Sequence, residues 1–228
     1  MRHLLFVLAL AGIAASAGWA NPLCVPGGSL QSYIDTYTDL TSACQIGDKL
    51  FWGFSLNPGG GPSATAVLVN IPGNLDGVTE VGITFNSGGW AVSSSNVIDA
   101  FLGYSVATLS GQPLIEDATL TIVGTLAGTG GSATVIETLT PAVAGSPITD
   151  TLPGNASNNV NFLSTLQTSM VVSNEIHLVG GLGFAGLSHV SIVENDFSEA
   201  IPEPLAPVLA GSGLLLLGAG IRKRVRLD

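Results

Sequence analysis

The stretch Val81-Gly82-Ile83-Thr84-Phe85 decides the fold class, because its apolar residues occupy every second position. Side chains of a β-strand point alternately to opposite faces, so the apolar set would share one buried face. The same period of two recurs at residues 102–106 and 118–123. These stretches predict strands that are buried on one side and more polar on the other.

Similar runs continue in both directions and are separated by Gly, Pro, Asn and Ser clusters such as Asn57-Pro58-Gly59-Gly60-Gly61-Pro62 and Pro153-Gly154-Asn155. About nine or ten strands with no long helix predict an all-β fold, a single antiparallel β-sandwich between roughly residues 50 and 194. One short helix is predicted over residues 30–38, with Ser29 as its N-cap. The further predicted strands cover residues 50–56, 65–71, 132–139, 160–166, 169–179 and 187–194.

The N-terminus has the order of a secretory signal peptide. Arg2 and His3 precede an apolar stretch over residues 4–17, and small residues follow at Gly18 and Ala20. Residues 1–20 are therefore predicted to be a signal peptide handled by the Sec translocon and signal peptidase, with cleavage after Ala20 or alternatively after Ala17. Lipidation of Cys24 is not expected, because Asn21-Pro22-Leu23 lacks the small residue that lipoprotein processing requires before the cysteine.

The C-terminus combines three features in a fixed order. Pro202, Glu203 and Pro204 come first, then an apolar run over residues 205–221, then a basic cluster. Seventeen apolar residues lie at the lower limit for a transmembrane helix, and the cations that follow would keep the C-terminus in the cytoplasm. The predicted organisation is a signal peptide (1–20), an exported β-sandwich domain (21–200) and a C-terminal segment (201–228) with one transmembrane helix. The basic cluster consists of Arg222, Lys223, Arg224 and Arg226.

This C-terminal arrangement resembles the PEP-CTERM sorting signal of Gram-negative bacterial surface proteins. The resemblance implies processing by an exosortase, a membrane-embedded cysteine protease or transpeptidase, near Pro202, Glu203 and Pro204, which would be substrate residues. It further implies transient anchoring in the inner membrane, followed by release to the cell surface or the extracellular matrix. Each proline favours extended backbone, so the motif would be an accessible segment above the membrane. The alternative is a plain C-terminal anchor with a proline-containing linker.

A second resemblance involves the start of the exported domain. Cys24, the segment Leu30-Gln31-Ser32-Tyr33-Ile34 and the turn Cys44-Gln45-Ile46-Gly47-Asp48-Lys49 are similar to a start shared by a subset of PEP-CTERM proteins. That subset has no established activity. Gly47-Asp48 is a typical tight-turn pair, which we prefer to a functional role for Asp48 and Lys49.

The two cysteines, Cys24 and Cys44, form an even pair in an exported chain. Oxidising conditions outside the cytoplasm favour a disulfide between them, which would stabilise the fold by roughly 3 kcal/mol in the chain-entropy model. A catalytic thiol is the alternative, but it would require a histidine nearby, and this stretch of sequence has none.

The exported part is strongly acidic. Between residues 21 and 203, Lys49 is the only cation against 15 Asp and Glu, which gives a formal charge of −14 (one minus fifteen). Such a surface repels phosphate backbones, so nucleic-acid binding is excluded. The acidity either serves solubility outside the cell or binds divalent cations, and without a loop of ligand-like spacing we prefer solubility.

Catalytic and metal-binding patterns are not recognisable in the sequence. His177 and His189 both lie within predicted strands, and neither a Gly-x-Ser-x-Gly nor a His-Glu-x-x-His motif occurs. Glu116-Asp117 and the pair Glu194 and Asp196 are interpreted as solvated turn residues. We therefore predict no catalytic residues, no metal site and no cofactor.

Two functions remain open for the domain. The first is a non-enzymatic surface or matrix protein that binds extracellular polysaccharide, and the second is a secreted hydrolase of such polymers. Exposed aromatic side chains in a row would favour sugar binding, whereas two carboxylates across a cleft would favour hydrolysis. The aromatic candidates are Trp52, Trp90, Phe101 and Tyr104, for which we prefer a core position.

Overall fold

The computed structural model describes residues 21–72, 80–152, 157–161 and 165–199. The predicted signal peptide, the Pro202-Glu203-Pro204 motif, the predicted transmembrane helix and the basic cluster lie outside these residues. Within the described ranges, no helix has the length and hydrophobicity needed to cross a membrane.

The described residues form a sandwich of two antiparallel sheets. The strands are β1 (Gly28–Ser29), β2 (Cys44–Ile46), β3 (Lys49–Asn57), β4 (Leu68–Asn70), β5 (Val81–Asn86), β6 (Ala91–Ser93), β7 (Val97–Thr108), β8 (Ile115–Thr129), β9 (Ser132–Thr140), β10 (Ile148–Leu152), β11 (Ser157–Asn161), β12 (Ser169–Val179) and β13 (Leu182–Glu199). The seven-stranded sheet has the order β1-β4-β5-β13-β8-β11, with β6 also paired to β13, and the six-stranded sheet has the order β10-β9-β12-β7-β3-β2. The predicted all-β class and antiparallel sandwich are confirmed.

The alternation read from the sequence produces the core between the sheets. Ile83 and Phe85 on β5 are fully buried, as predicted from their spacing. Tyr104 on β7 joins the two layers, because its ring centroid lies 5.7 Å from that of Phe85 and 6.5 Å from that of Phe197 on β13. Apolar burial of this kind is the main favourable contribution to folding.

The N-terminal segment closes one side of the sandwich. Helix α1 (Leu30–Thr36) begins after Ser29, whose Oγ accepts a hydrogen bond of 3.2 Å from the Ser32 amide, so the predicted cap is confirmed. Tyr33 on this helix is buried against Phe54, with ring centroids 5.1 Å apart. The predicted disulfide is also present, with the Cα atoms of Cys24 and Cys44 4.8 Å apart.

Several predicted boundaries were wrong. The predicted strand 65–71 begins instead with a 3-10 turn (Ala64–Ala66), and the strand that follows it, β4, is only three residues long. The strand predicted at 160–166 begins earlier, as β11, while residues 162–164 of that prediction lie outside the described residues. Strand β13 continues to Glu199 instead of ending at residue 194. Strands β1, β2, β6 and β10 were not predicted, because two to five residues are too few to show a period.

Candidate functional site

The outer face of the six-stranded sheet carries two aromatic side chains. Phe101 on β7 points away from the core and is 40% exposed. Trp52 on β3 is half-buried and lies opposite Ser105 of β7, while its neighbour Phe51 points into the core. We call the outward surface formed by Trp52, Phe101, Ser105, Val171 and Glu175 the aromatic face.

The register of the sheet fixes the spacing on this face. Phe101 and Ser105 are four residues apart on the same strand, which corresponds to about 13 Å at a rise of about 3.3 Å per residue. Trp52 lies beside Ser105, so the two aromatic side chains are separated by a similar distance along β7. Val171 of β12, which is 50% exposed, lies on the other side of Ser105.

Polar groups surround the two aromatic side chains. Glu175 of β12 is opposite Phe101, and His177 of the same strand is opposite Asp99. The Nδ1 atom of His177 lies 3.8 Å from Oδ1 of Asp99, and both side chains are well exposed. The face therefore offers apolar ring surfaces next to hydrogen-bonding groups, which is the combination that a hydroxyl-rich ring with apolar C–H faces requires.

The prediction that the four aromatic candidates lie in the core is correct for two of them. Trp90 and Tyr104 are buried in the sandwich, whereas Phe101 is exposed and Trp52 is only partly covered. Phe101 follows the strand alternation, since Ala100 and Leu102 on either side of it are buried. The alternation around residue 101 was the signal that could have identified it as an outward-facing aromatic.

Lys49 occupies a position that the sequence did not indicate. Gly47 and Asp48 do form the turn between β2 and β3, and Gly47 adopts a φ of +58°. Lys49, however, is fully buried, and its Nζ lies 2.7 Å from Oδ1 of Asp48 and 2.9 Å from Oε1 of Glu199. We call these three residues the Lys49 clamp. Burial raises the pKa of Glu199, and the hydrogen bond to Lys49 opposes that shift.

A polar cluster lies between the two sheets. Asn195 of β13 donates to Oε2 of Glu137 on β9, and Asn174 of β12 donates to Oδ1 of Asn195 at 2.9 Å. All three side chains are fully buried. Within the described ranges, Oε1 of Glu137 and the hydroxyl of Tyr104 have no hydrogen-bond partner. Burial, followed by repulsion from Asp196, raises the pKa of Glu137 to about 8.

The acidic residues of β8 and β13 are not turn residues, so that interpretation was wrong. Glu116 and Asp117 lie within β8, and Glu194 and Asp196 within β13. Asp196 lies on the outer face of the seven-stranded sheet, where a Cβ on Gly82 would overlap its carboxylate. Burial, then repulsion from Glu194 and Glu80, raises its pKa to about 7.

The two carboxyl groups whose pKa values burial raises furthest, those of Glu137 and Asp196, do not form the arrangement that hydrolysis would need. Glu137 points into the core, whereas Asp196 lies on the outside of the opposite sheet, so they do not face one cleft. His177 and His189 lie on β12 and β13, as expected. Among the described residues, no group of three or more His, Cys, Asp or Glu is placed to hold a metal ion.

The comparisons with known proteins give little guidance. The chain matches no protein-family model and no curated protein. Among solved structures it is similar to TmCBM61 in complex with β-1,4-galactotriose, at 8% identity, over 77% of this chain and 97% of that one, with a TM-score of 0.31. A likeness at that TM-score supports no conclusion about this chain.

Proposed function

We propose that this chain is an exported, non-enzymatic surface or matrix protein whose β-sandwich binds neutral polysaccharide through the aromatic face. The observation that carries the proposal is the outward position of Phe101 together with the partly exposed Trp52 on the same sheet face. An exposed aromatic ring on a regular sheet contributes nothing to the core, whereas it provides a stacking surface for a sugar ring.

The charge of the domain selects the kind of polysaccharide. With a formal charge of −14 between residues 21 and 203, and with its one cation buried in the Lys49 clamp, the domain repels polyanionic chains. A neutral polymer is not subject to this repulsion. Its hydroxyl groups can also form hydrogen bonds with Ser105 and Glu175 of the face and with the neighbouring His177.

The binding experiment is affinity electrophoresis of the exported domain (residues 21–200) in gels that contain dextran, mannan or galactan, with alginate as the polyanionic comparison. We expect retardation by at least one neutral polymer and none by alginate. Phe101→Ala should abolish the retardation and Trp52→Ala should weaken it. Leu68→Ala is the matched control, because Leu68 is 45% exposed on the opposite sheet. Absence of retardation by all three neutral polymers would overturn the proposed binding activity.

We propose that the C-terminal segment, residues 201–228, directs the protein to the cell surface. The Pro202-Glu203-Pro204 motif, the apolar run over residues 205–221 and the basic cluster support anchoring in the inner membrane followed by exosortase processing. Glu203→Ala should keep the full-length protein in the inner membrane, and deletion of residues 205–228 should release a soluble domain into the periplasm.

Intact-mass measurement of the protein from the extracellular fraction tests this delivery. We expect a product that lacks both residues 1–20 and the C-terminal helix, and that disappears in a strain without exosortase. Wild-type protein that retains its C-terminal helix in a strain with active exosortase would leave only the plain anchor.

A further inference from the structure

A groove of about 520 Å³ lies at one end of the six-stranded sheet. Its floor includes Leu50 of β3 and Ala107 of β7, which are paired across the sheet next to Trp52 and Ser105. Asn21, Thr108, Gln112 and Thr168 are among the residues that line its sides. The groove is therefore the continuation of the aromatic face and not a separate feature.

The lining of this groove is uncharged. None of the described residues that form it is Asp, Glu, Lys, Arg or His, although acidic residues far outnumber basic ones in the domain. Its polar groups are amides and hydroxyls, which both donate and accept hydrogen bonds, and its apolar groups are aliphatic. This chemistry matches an uncharged ligand that is rich in hydroxyl groups.

Between Phe101 and the groove, the outward side chains of β7 are small. The outward positions of β7 after Phe101 are Gly103, Ser105 and Ala107, all of which are small. Phe101 and Ala107 are six residues apart, which corresponds to about 20 Å along the strand. An extended polymer can therefore lie over β7 and contact Phe101, Trp52 and the groove in turn without a large side chain in its path.

We infer that the groove is a second contact region for the same neutral polysaccharide, and that the polymer runs along β7 from Phe101 to the groove. This inference rests on the proposed function of the aromatic face and extends it. It specifies the ligand as a linear segment of several sugar units, because a single sugar at Phe101 cannot reach Gln112.

The test uses isothermal titration of gluco-, manno- and galacto-oligosaccharides of increasing length against four variants. Gln112→Ala removes an exposed amide from the groove, and Ser110→Trp fills the groove from its rim. Gln31→Ala on α1, outside the groove, is the control for loss of a glutamine, and Phe101→Ala tests the aromatic face itself.

We expect Gln112→Ala to raise the Kd of long oligosaccharides about two- to tenfold, the equivalent of one hydrogen bond. Ser110→Trp should raise it further, and neither variant should alter the Kd of the shortest oligosaccharide that binds. If both groove variants bind every length as wild type does while Phe101→Ala loses binding, the groove inference is overturned and the proposed function stands. If Phe101→Ala binds normally, or if no neutral oligosaccharide binds at all, the proposed function itself fails.

Discussion

Two buried ionisable residues, Lys49 and Glu137, meet opposite conditions in the same sandwich. Lys49 is fully buried, but two carboxylates lie within 2.9 Å of its Nζ. Glu137 is equally buried, yet it accepts its hydrogen bond from the uncharged amide of Asn195, and Asp196 adds repulsion.

The difference shows how a core can keep an ionisable group in either of two ways. A buried charge is tolerated when an opposite charge compensates for its lost hydration, as it does at Lys49. Without such a partner the group becomes neutral instead, and the pKa of Glu137, raised to about 8 by burial, describes that outcome. The clamp should therefore be sensitive to mutation, and the cluster around Glu137 to pH.

The largest expected effect is a loss of stability with rising pH. Glu137 has a higher pKa in the folded protein than its ordinary value of 4.5, so folding takes up a proton between these two values. Its contribution is fully present below about pH 4.5 and is lost as the pH rises through about 8. At about 1.4 kcal/mol per pKa unit, the free energy of unfolding should fall by roughly 5 kcal/mol from this group. Urea denaturation of residues 21–200 between pH 4 and 9 measures it.

The pKa of Asp196 is also raised, to about 7, so ionisation of Asp196 lowers the stability with rising pH as ionisation of Glu137 does. Two variants separate the two contributions. Glu137→Gln should flatten the upper part of the pH dependence and make the domain more stable than wild type at pH 9. Asp196→Asn should flatten the pH dependence of stability at lower pH, where the Asp196 carboxyl ionises. A wild-type stability that stays constant from pH 5 to 9 would contradict a neutral, buried Glu137.

The next largest effect is expected from Lys49→Met. Methionine is an unbranched side chain of similar size, but it leaves the carboxylates of Asp48 and Glu199 without their cation. We therefore expect the free energy of unfolding to fall by about 3–5 kcal/mol at neutral pH. Glu199→Gln should lower the free energy of unfolding by less, because Asp48 still pairs with Lys49. Urea denaturation at pH 7 provides both values, and equal losses in the two variants would show that Asp48 does not compensate the charge.

A smaller effect is expected from Asn195→Leu in the polar cluster. Leucine has a similar volume but cannot donate to Glu137 or accept from Asn174, so about 1–3 kcal/mol of stability should be lost. Because Glu137 would lose its donor, the pH dependence should become steeper at high pH. Thermal unfolding at pH 6 and pH 9 tests this, and a loss that is equal at both values would separate Asn195 from the ionisation of Glu137.

The smallest effect is expected from Asp99→Asn, which lies next to the aromatic face. Its contact with His177 is 3.8 Å long and both side chains are exposed, so water and salt screen the interaction. The free energy of unfolding should change by less than about 0.5 kcal/mol, as chemical denaturation will show. A larger loss of stability would contradict the expectation that water and salt screen this exposed ion pair.

The sequence predicted the fold where its pattern was long. Strand β12 was predicted over its full length, because apolar residues occupy every second position from Met170 to Leu178 except at Asn174. The end of β13 was missed because Asn195 and Asp196 look like turn residues, and the partners that let Asn195 enter the core come from β9 and β12. Those partners are distant in sequence, so the local pattern could not reveal them.

The candidate site was predictable only in part. The alternation around Phe101 is local and was available from the sequence, whereas the position of Trp52 beside Ser105 depends on the pairing of β3 with β7. The Lys49 clamp depends on contact between residues that are 150 positions apart. The disulfide was predictable because the cysteine pair offered a single intramolecular connection.

The position of Glu199 has a mechanical consequence. Through the Lys49 clamp, the last described residue of β13 is fastened to the end of the sandwich where Lys49 pairs with Thr108, which lines the groove. If residues 201–228 tether the domain and a polymer holds it along β7, tension enters through Glu199 and runs along β13. That strand is hydrogen-bonded to β5 on one side and to β8 on the other. A pull along its axis must shear both ladders together, so the domain should resist force best along β13.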